Sequence, residues 1–178
     1  MKLYPEIKFR IMNGNSDELI ERLGSGLINL AVITAPHDQT LLNSFKVGEE
    51  KMTAFMSLDN PLASNAKDTV DLEELAGQPL IVPSREAIND MICKWFKEIG
   101  KNPQIVCKIG NYLDVAALSG CNVGISIFPK TSYVLNPHII AREIVNPGRL
   151  VEYPFVWLKG KPLPIADETF IEYVKSTL

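Results

Sequence analysis

One order of events occurs twice in this chain and constrains its fold more than any other feature. In "RLGSGLINLAVIT" (Arg22 to Thr34) and again in "ALSGCNVGISIFP" (Ala117 to Pro129), a helix end meets glycine, a short turn follows, and an apolar strand comes next. Each stretch then places a residue, Thr34 or Phe128, at the strand's carboxyl end. A helix feeding an apolar strand is half of a βαβ unit. Its recurrence predicts an α/β fold of two similar βαβ-containing lobes. With 178 residues, 46% of them hydrophobic, the chain can bury a core as one domain or two small ones.

The glycines of the first copy raise a choice between a phosphate-cradling loop and a helix stop. A phosphate loop follows a strand and opens a helix, whereas Gly24-Ser25-Gly26 closes a helix and precedes a strand. No G-x-G-x-x-G or Walker pattern is present. The anion-friendly end of that helix is the other one. There Asn15 or Ser16 is placed to cap it, with Glu18 positioned to complete a capping box.

The remaining elements follow from local pattern. "IKFRIMNG" alternates Ile7, Phe9 and Ile11 with Lys8 and Arg10, which predicts a strand with one wet face near a sheet edge. "LINLAVIT" is apolar enough for a parallel strand buried on both faces. "LLNSFKVGEEKMTAFMSLDNPLA" predicts two strands around Gly48 to Glu50 and a turn at Asp59-Asn60-Pro61. "DLEELAGQP" is a short helix capped by Asp71 with Glu74 three residues on. "LIVPS" reads as a buried strand, and Ser84 is placed to cap a helix carrying Ile88, Met91, Ile92, Trp95, Phe96 and Ile99 on one face. After Gly100, "QIVCKIG" alternates, Asn111 is placed to cap a helix ending at Gly120, and "NVGISIFP" is a further buried strand. "VEYPFVWLKG" supplies strand, and "PIADETFIEYVKSTL" a helix turning Phe170, Tyr173 and Val174 inward.

Several function classes are disfavoured. The formal charge of -3 comes from interspersed signs, so these residues offer no basic stripe for nucleic acid. Cys93, Cys107 and Cys121 show no C-x-x-C spacing, which predicts buried thiols with neither a disulfide framework nor a metal site. The longest apolar runs fall short of the roughly 20 residues of a membrane span, and no secretory signal pattern follows Met1. The expected location is the cytoplasm. His37 and His138, each beside a proline, lack metal-ligand spacing and any nucleophile partner motif, so no catalytic residue, metal or cofactor is expected.

In order and spacing, "YPEIKFRI", "SDELIERLGSGLINLAVI", "DNPLA", "DLEELAGQPLIVPS", "VGISIFP" and "VWLKG" before an acidic helix resemble the effector-binding domain of LysR-type bacterial transcription regulators. The resemblance implies two Rossmann-like lobes joined by two crossovers, similar to type 2 periplasmic binding proteins. It places a first lobe over 1–79 plus 130–178 and a second over 80–129. It also implies a homodimer or higher homo-oligomer, and DNA contact only through an N-terminal helix-turn-helix that these residues do not contain. The family has a strand upstream of the position matched by Tyr4-Pro5. Without it, "IKFRI" and "NLAVIT" are expected to lack a shared neighbour, which predicts rearrangement or pairing between chains.

In open α/β sheets ligands bind beyond the carboxyl ends of strands, where helix N-termini converge. Those positions are Asn15, Ser16, Thr34, Ser84, Arg85, Asn111 and Phe128. Short polar groups and one cation favour a small organic anion. Each has a plainer rival: Ser16, Ser84 and Asn111 as caps alone, Thr34 as a strand end, Arg85 paired with Glu86, Asp90 or solvent, Phe128 as core. A solute-binding protein for transport, or an enzyme of the same topology, are the alternatives at the level of function.

Overall fold

The computed structural model describes residues 4–130 and 137–178. In chain order the elements are α1 (Ser16–Gly24), β1 (Ala31–Val32), β2 (Leu42–Ser57), a 3-10 turn (Pro61–Ser64), β3 (Thr69–Asp71), α2 (Leu72–Leu75), β4 (Pro79–Pro83), α3 (Glu86–Glu98), β5 (Gln104–Ile109), α4 (Leu113–Gly120), β6 (Ile125–Pro129), β7 (Ile139–Val145), β8 (Leu150–Leu158) and α5 (Ile165–Thr177). The chain divides into two compact units, one of Met1–Gly48 with Tyr153–Leu178 and one of Glu49–Glu152. The second is drawn wider than the expected 80–129, because part of β2 together with β3, α2 and β7 belongs to it.

The first unit packs α1 on β1. Asn15 is the N-cap, accepting the Glu18 N–H at 3.0 Å, while its side-chain amide donates to Glu18 Oε1 at 2.8 Å. At the far end Gly26 takes a φ of +77°, and the Leu27 N–H reaches back to Arg22 O at 2.9 Å, closing the helix as the sequence predicts. Leu23, Ala31, Ile33, Leu42 and Val156 form the core, with Leu19, Ile20, Ile28 and Leu158 against them. Trp157, half-buried on β8, meets the Phe45 ring edge-on at 6.1 Å.

Two strand expectations fail in this unit. Residues 7–11 form no strand; they make no ladder with any described residue, and an alternating pattern without a partner has nothing to hold it extended. "LINLAVIT" yields only Ala31–Val32, and it pairs antiparallel with β8, Ala31 opposite Val156. With a neighbour on one side alone it is not buried on both faces: Ala31 and Ile33 point inward while Val32 is exposed. Nor does Tyr173 turn inward on α5. Ile171 takes the buried place, since helical geometry puts 170, 171 and 174 on one face and 173 beside it.

The second unit is a six-stranded mixed sheet in the order β3-β7-β2-β6-β4-β5. β4 runs parallel to β5 and β6, β2 antiparallel to β6 and β7, and β3 parallel to β7. The pair of strands expected around Gly48 is one continuous strand, β2, because Gly48 stays extended with no positive φ to turn a hairpin. Leu80, Ile81 and Val82 are wholly buried, as "LIVPS" predicts. Across one face α3 buries Ile88, Ile92, Trp95 and Phe96, each contributing about 1.5–3 kcal/mol by removal from water. Arg149 lies over the Trp95 ring at 5.4 Å and bonds Glu98 at 2.6 Å. A Cβ at Gly124 would stand 2.7 Å from the carbonyl oxygen of Pro79, so only glycine lets β6 enter beside β4.

Arg142 on β7 is 3% exposed. Its guanidinium donates to Ala63 O at 3.0 Å and to the Asn65 carbonyl and side-chain oxygens, pinning the end of the 3-10 turn. The cysteines depart from expectation: Cys93 and Cys107 are half-buried and Cys121, at the C-cap of α4, is exposed.

Candidate ligand site

The first unit brings three of the candidates together. Ser16 opens α1 and is buried, and its Oγ lies 2.9 Å from Thr34 Oγ1 while accepting the Thr34 N–H at 3.0 Å. The end of β1 is thereby tied to the start of α1. Asn15, one residue earlier, is occupied in capping. Asp17 and Glu18 lie in the first turn, so negative charge already opposes the attraction of this helix end for an anion.

In the second unit β4, β5 and β6 run parallel, so their carboxyl ends share one edge. The Ser84 N–H donates to Ile109 O at 2.8 Å, fastening the loop after β4 to the end of β5. This shifts the helix start. Ser84 does not cap α3, as the sequence suggests; it is exposed, and the N-cap position falls to Arg85, which makes no side-chain capping bond. The Arg85 carbonyl accepts Ile88 N–H at 3.1 Å and Asn89 N–H at 3.0 Å, so the backbone of Arg85 opens the helix. Beside it, Asn111 Oδ1 accepts the Leu113 N–H at 3.0 Å, an Asx turn one residue ahead of the Tyr112 cap position. A Cβ at Gly110 would lie 3.5 Å from Ser84 Oγ, so the loops after β4 and β5 approach closely.

Phe128 belongs to the core of this unit, packed with Phe55, Ile81, Ile109, Val115 and Ile139. Tyr112 meets both Phe128 and Phe55 edge-on at 5.8 Å. Sequence reasoning missed Tyr112. The available signal was its position immediately after the strand-ending Gly110-Asn111 pair. Phe128 thus backs the wall that Tyr112 forms.

Chemically, this edge offers a hydroxyl, an amide turn, a half-buried guanidinium and an aromatic wall, a set suited to hydrogen bonding rather than bond breaking. His37 Nε2 sits 3.0 Å from Ser44 Oγ, but no carboxylate orients that imidazole among the described residues. Among the described residues no three His, Cys, Asp or Glu gather to hold a metal ion, and no helix is long and apolar enough to cross a membrane.

Fold and edge together define an α/β ligand-binding domain. The family described as the LysR substrate binding domain matches residues 1–178, and the chain belongs to it. YybE, an uncharacterized HTH-type transcriptional regulator of Bacillus subtilis (strain 168), is 27% identical over 174 residues, which is 97% of this chain and 59% of that protein. CmpR, an HTH-type transcriptional activator of Synechocystis sp., is 23% identical over 175 residues, 96% of this chain and 57% of that protein. The chain therefore spans less than two thirds of these relatives. The effector binding domain of QuiR, solved with shikimate, superposes with a TM-score of 0.88 at 21% identity, covering 97% of this chain and 82% of that one. The regulatory domain of CcmR from Synechocystis PCC6803, solved with 2-PG, gives 0.80 at 16% identity over 99% and 86%. The fold is that of LysR effector-binding domains, of the type 2 periplasmic-binding-protein kind.

Proposed function

We propose that this chain is the effector-sensing regulatory domain of a cytoplasmic LysR-type transcription factor, a binding domain without catalysis of its own. Its ligand is a small organic anion contacted by Ser84, Arg85 and Asn111, with Phe128 behind; Asn15, Ser16 and Thr34 are the corresponding candidates of the first unit. The observation that carries this reading is the edge of the second unit, where Arg85 stands at the opening of α3 beside the Ser84 and Asn111 loops. The ligands named with QuiR and CcmR support the size class, and shikimate is itself a carboxylate. In the same reading the domain works as a homodimer, and DNA is contacted by a helix-turn-helix outside residues 1–178.

Calorimetry with shikimate and a panel of small carboxylates and phosphate esters tests the proposal. At least one anion binds with micromolar or tighter affinity, and Arg85→Ala weakens it by about 1.5–3 kcal/mol, the range for a hydrogen bond to a charged group. Preference for neutral or cationic solutes across the panel, or unchanged affinity in Arg85→Ala, would remove the anion reading.

A further inference from the structure

We infer that Asn13–Gly14 is a self-modifying site, activated by Arg22, at which the chain converts the Asn13 amide into a carboxylate with water as the only co-reactant. The Gly14 backbone nitrogen attacks Asn13 Cγ, its proton passing through solvent to the departing Nδ2, which leaves as ammonia. The product is a five-membered imide. Water then opens the ring at one of its two carbonyls. Addition at Cγ gives aspartate, and addition at the main-chain carbonyl carbon leaves the backbone running through Cγ as isoaspartate. In sum one water is consumed and one ammonia released, and nothing is oxidised or reduced.

The sequence holds a single Asn-Gly pair, and glycine has no Cβ to hinder the approach of its nitrogen to Cγ. Other asparagines are worse placed. Asn60, Asn102 and Asn146 precede proline, which has no N–H to lose. Asn15 and Asn111 commit Oδ1 to backbone N–H groups, and Asn43 lies within β2. Asn13 is exposed and lies outside helix and strand, so no ladder fixes its backbone against the turn the attack requires. Helix α1 adds the activating group: Arg22 Nη1 donates to Asn13 O at 3.0 Å. That oxygen belongs to the peptide whose nitrogen attacks, and amide resonance spreads charge onto it as the proton leaves. A guanidinium already in place stabilises the charge. The same helix keeps position 14 a glycine, since a Cβ there would stand 2.7 Å from Glu18 Oε2. The Glu18 charge opposes a second anion, but Arg22 at 3.8 Å and Asn15 Nδ2 at 2.8 Å offset it. The carboxylate formed joins Asp17 and Glu18 at the opening of α1, and isoaspartate also lengthens the backbone by one carbon where Arg22 holds it.

The whole chain, incubated in mildly alkaline buffer at body temperature and then cut with trypsin, reports on this site through one peptide, Ile11–Arg22. Mass spectrometry should show that peptide gaining about one dalton and splitting into two chromatographic forms, the other asparagines staying intact. Arg22→Gln, read on the longer peptide Ile11–Lys46, slows conversion about threefold or more in the folded chain and leaves the rate in urea unchanged. Arg22→Lys, which keeps a cation, retains most of the rate and covers the case in which circular dichroism finds Arg22→Gln unfolded. Asn13 intact in the folded chain after the urea-unfolded chain has converted overturns the site. Equal conversion in the folded native and Arg22→Gln chains overturns its activation by Arg22.

Discussion

The same motif gives two different strands. After α4 and its glycine, β6 lies between β2 and β4 and is buried along Ile125 to Phe128. After α1 and its glycines, β1 is two residues long, paired with β8, with Val32 facing solvent. Neither the helix cap nor the apolar run differs enough to explain this. Neighbours do: each strand has a helix against it, but β6 has a strand on both sides and β1 on one only. A strand is a property of a pairing, whereas a helix is largely a property of its own segment.

The contrast is broken most strongly in the second unit's core. Phe96→Ala, which empties a wholly buried site, lowers unfolding free energy by about 3–5 kcal/mol in urea titration. A loss below about 1 kcal/mol would mean the six-stranded unit is no better packed than the first. Next comes Arg142→Ala, which frees the 3-10 turn and costs about 1.5–3 kcal/mol, with amides of residues 61–65 exchanging faster. Unaltered exchange there would show the turn holds itself. Ser16→Ala cuts the tie between α1 and β1 and costs about 0.5–1.5 kcal/mol, read by the same titration.

The smallest effect is on acid stability. The Thr40 hydroxyl and N–H each donate to Asp38 at 2.7 Å, the hydroxyl bond being the larger influence, and hold its carboxyl below the ordinary aspartate range. A depressed carboxyl stabilises the fold above its unfolded pKa and loses that contribution as pH falls through the folded one. Asp38→Asn should therefore match the native chain below that window and fall slightly short at neutral pH. A difference that grows on acidification would contradict the assignment.

Helices α1, α3 and α4 were legible because periodicity, the Asn15 cap and the stop glycines act within a few residues, although the cap position of α4 falls at Tyr112 and not at Asn111. The site was legible as positions along the chain and illegible as bonds. Ser16 and Thr34 meet across 18 residues of sequence. The Ser84 tie to Ile109 depends on β4 and β5 being neighbours, and that same bond moved the cap to Arg85. Arg142 sits in "IIAREIV", where an arginine reads as the wet face; only the placement of β7 between β2 and β3 buries it. The "IKFRI" pattern predicted a strand that does not form, since alternation specifies what a segment fits and not whether the fit is present.

The chain has two tryptophans, and they fall one to each unit: Trp95 beneath Arg149 in the second, Trp157 against Phe45 in the first. Each unit therefore carries its own fluorophore in a distinct surrounding, one under a cation and one against a ring. Replacing either with phenylalanine leaves an optical reporter for the other unit, so emission spectra resolve whether the two melt together or in sequence.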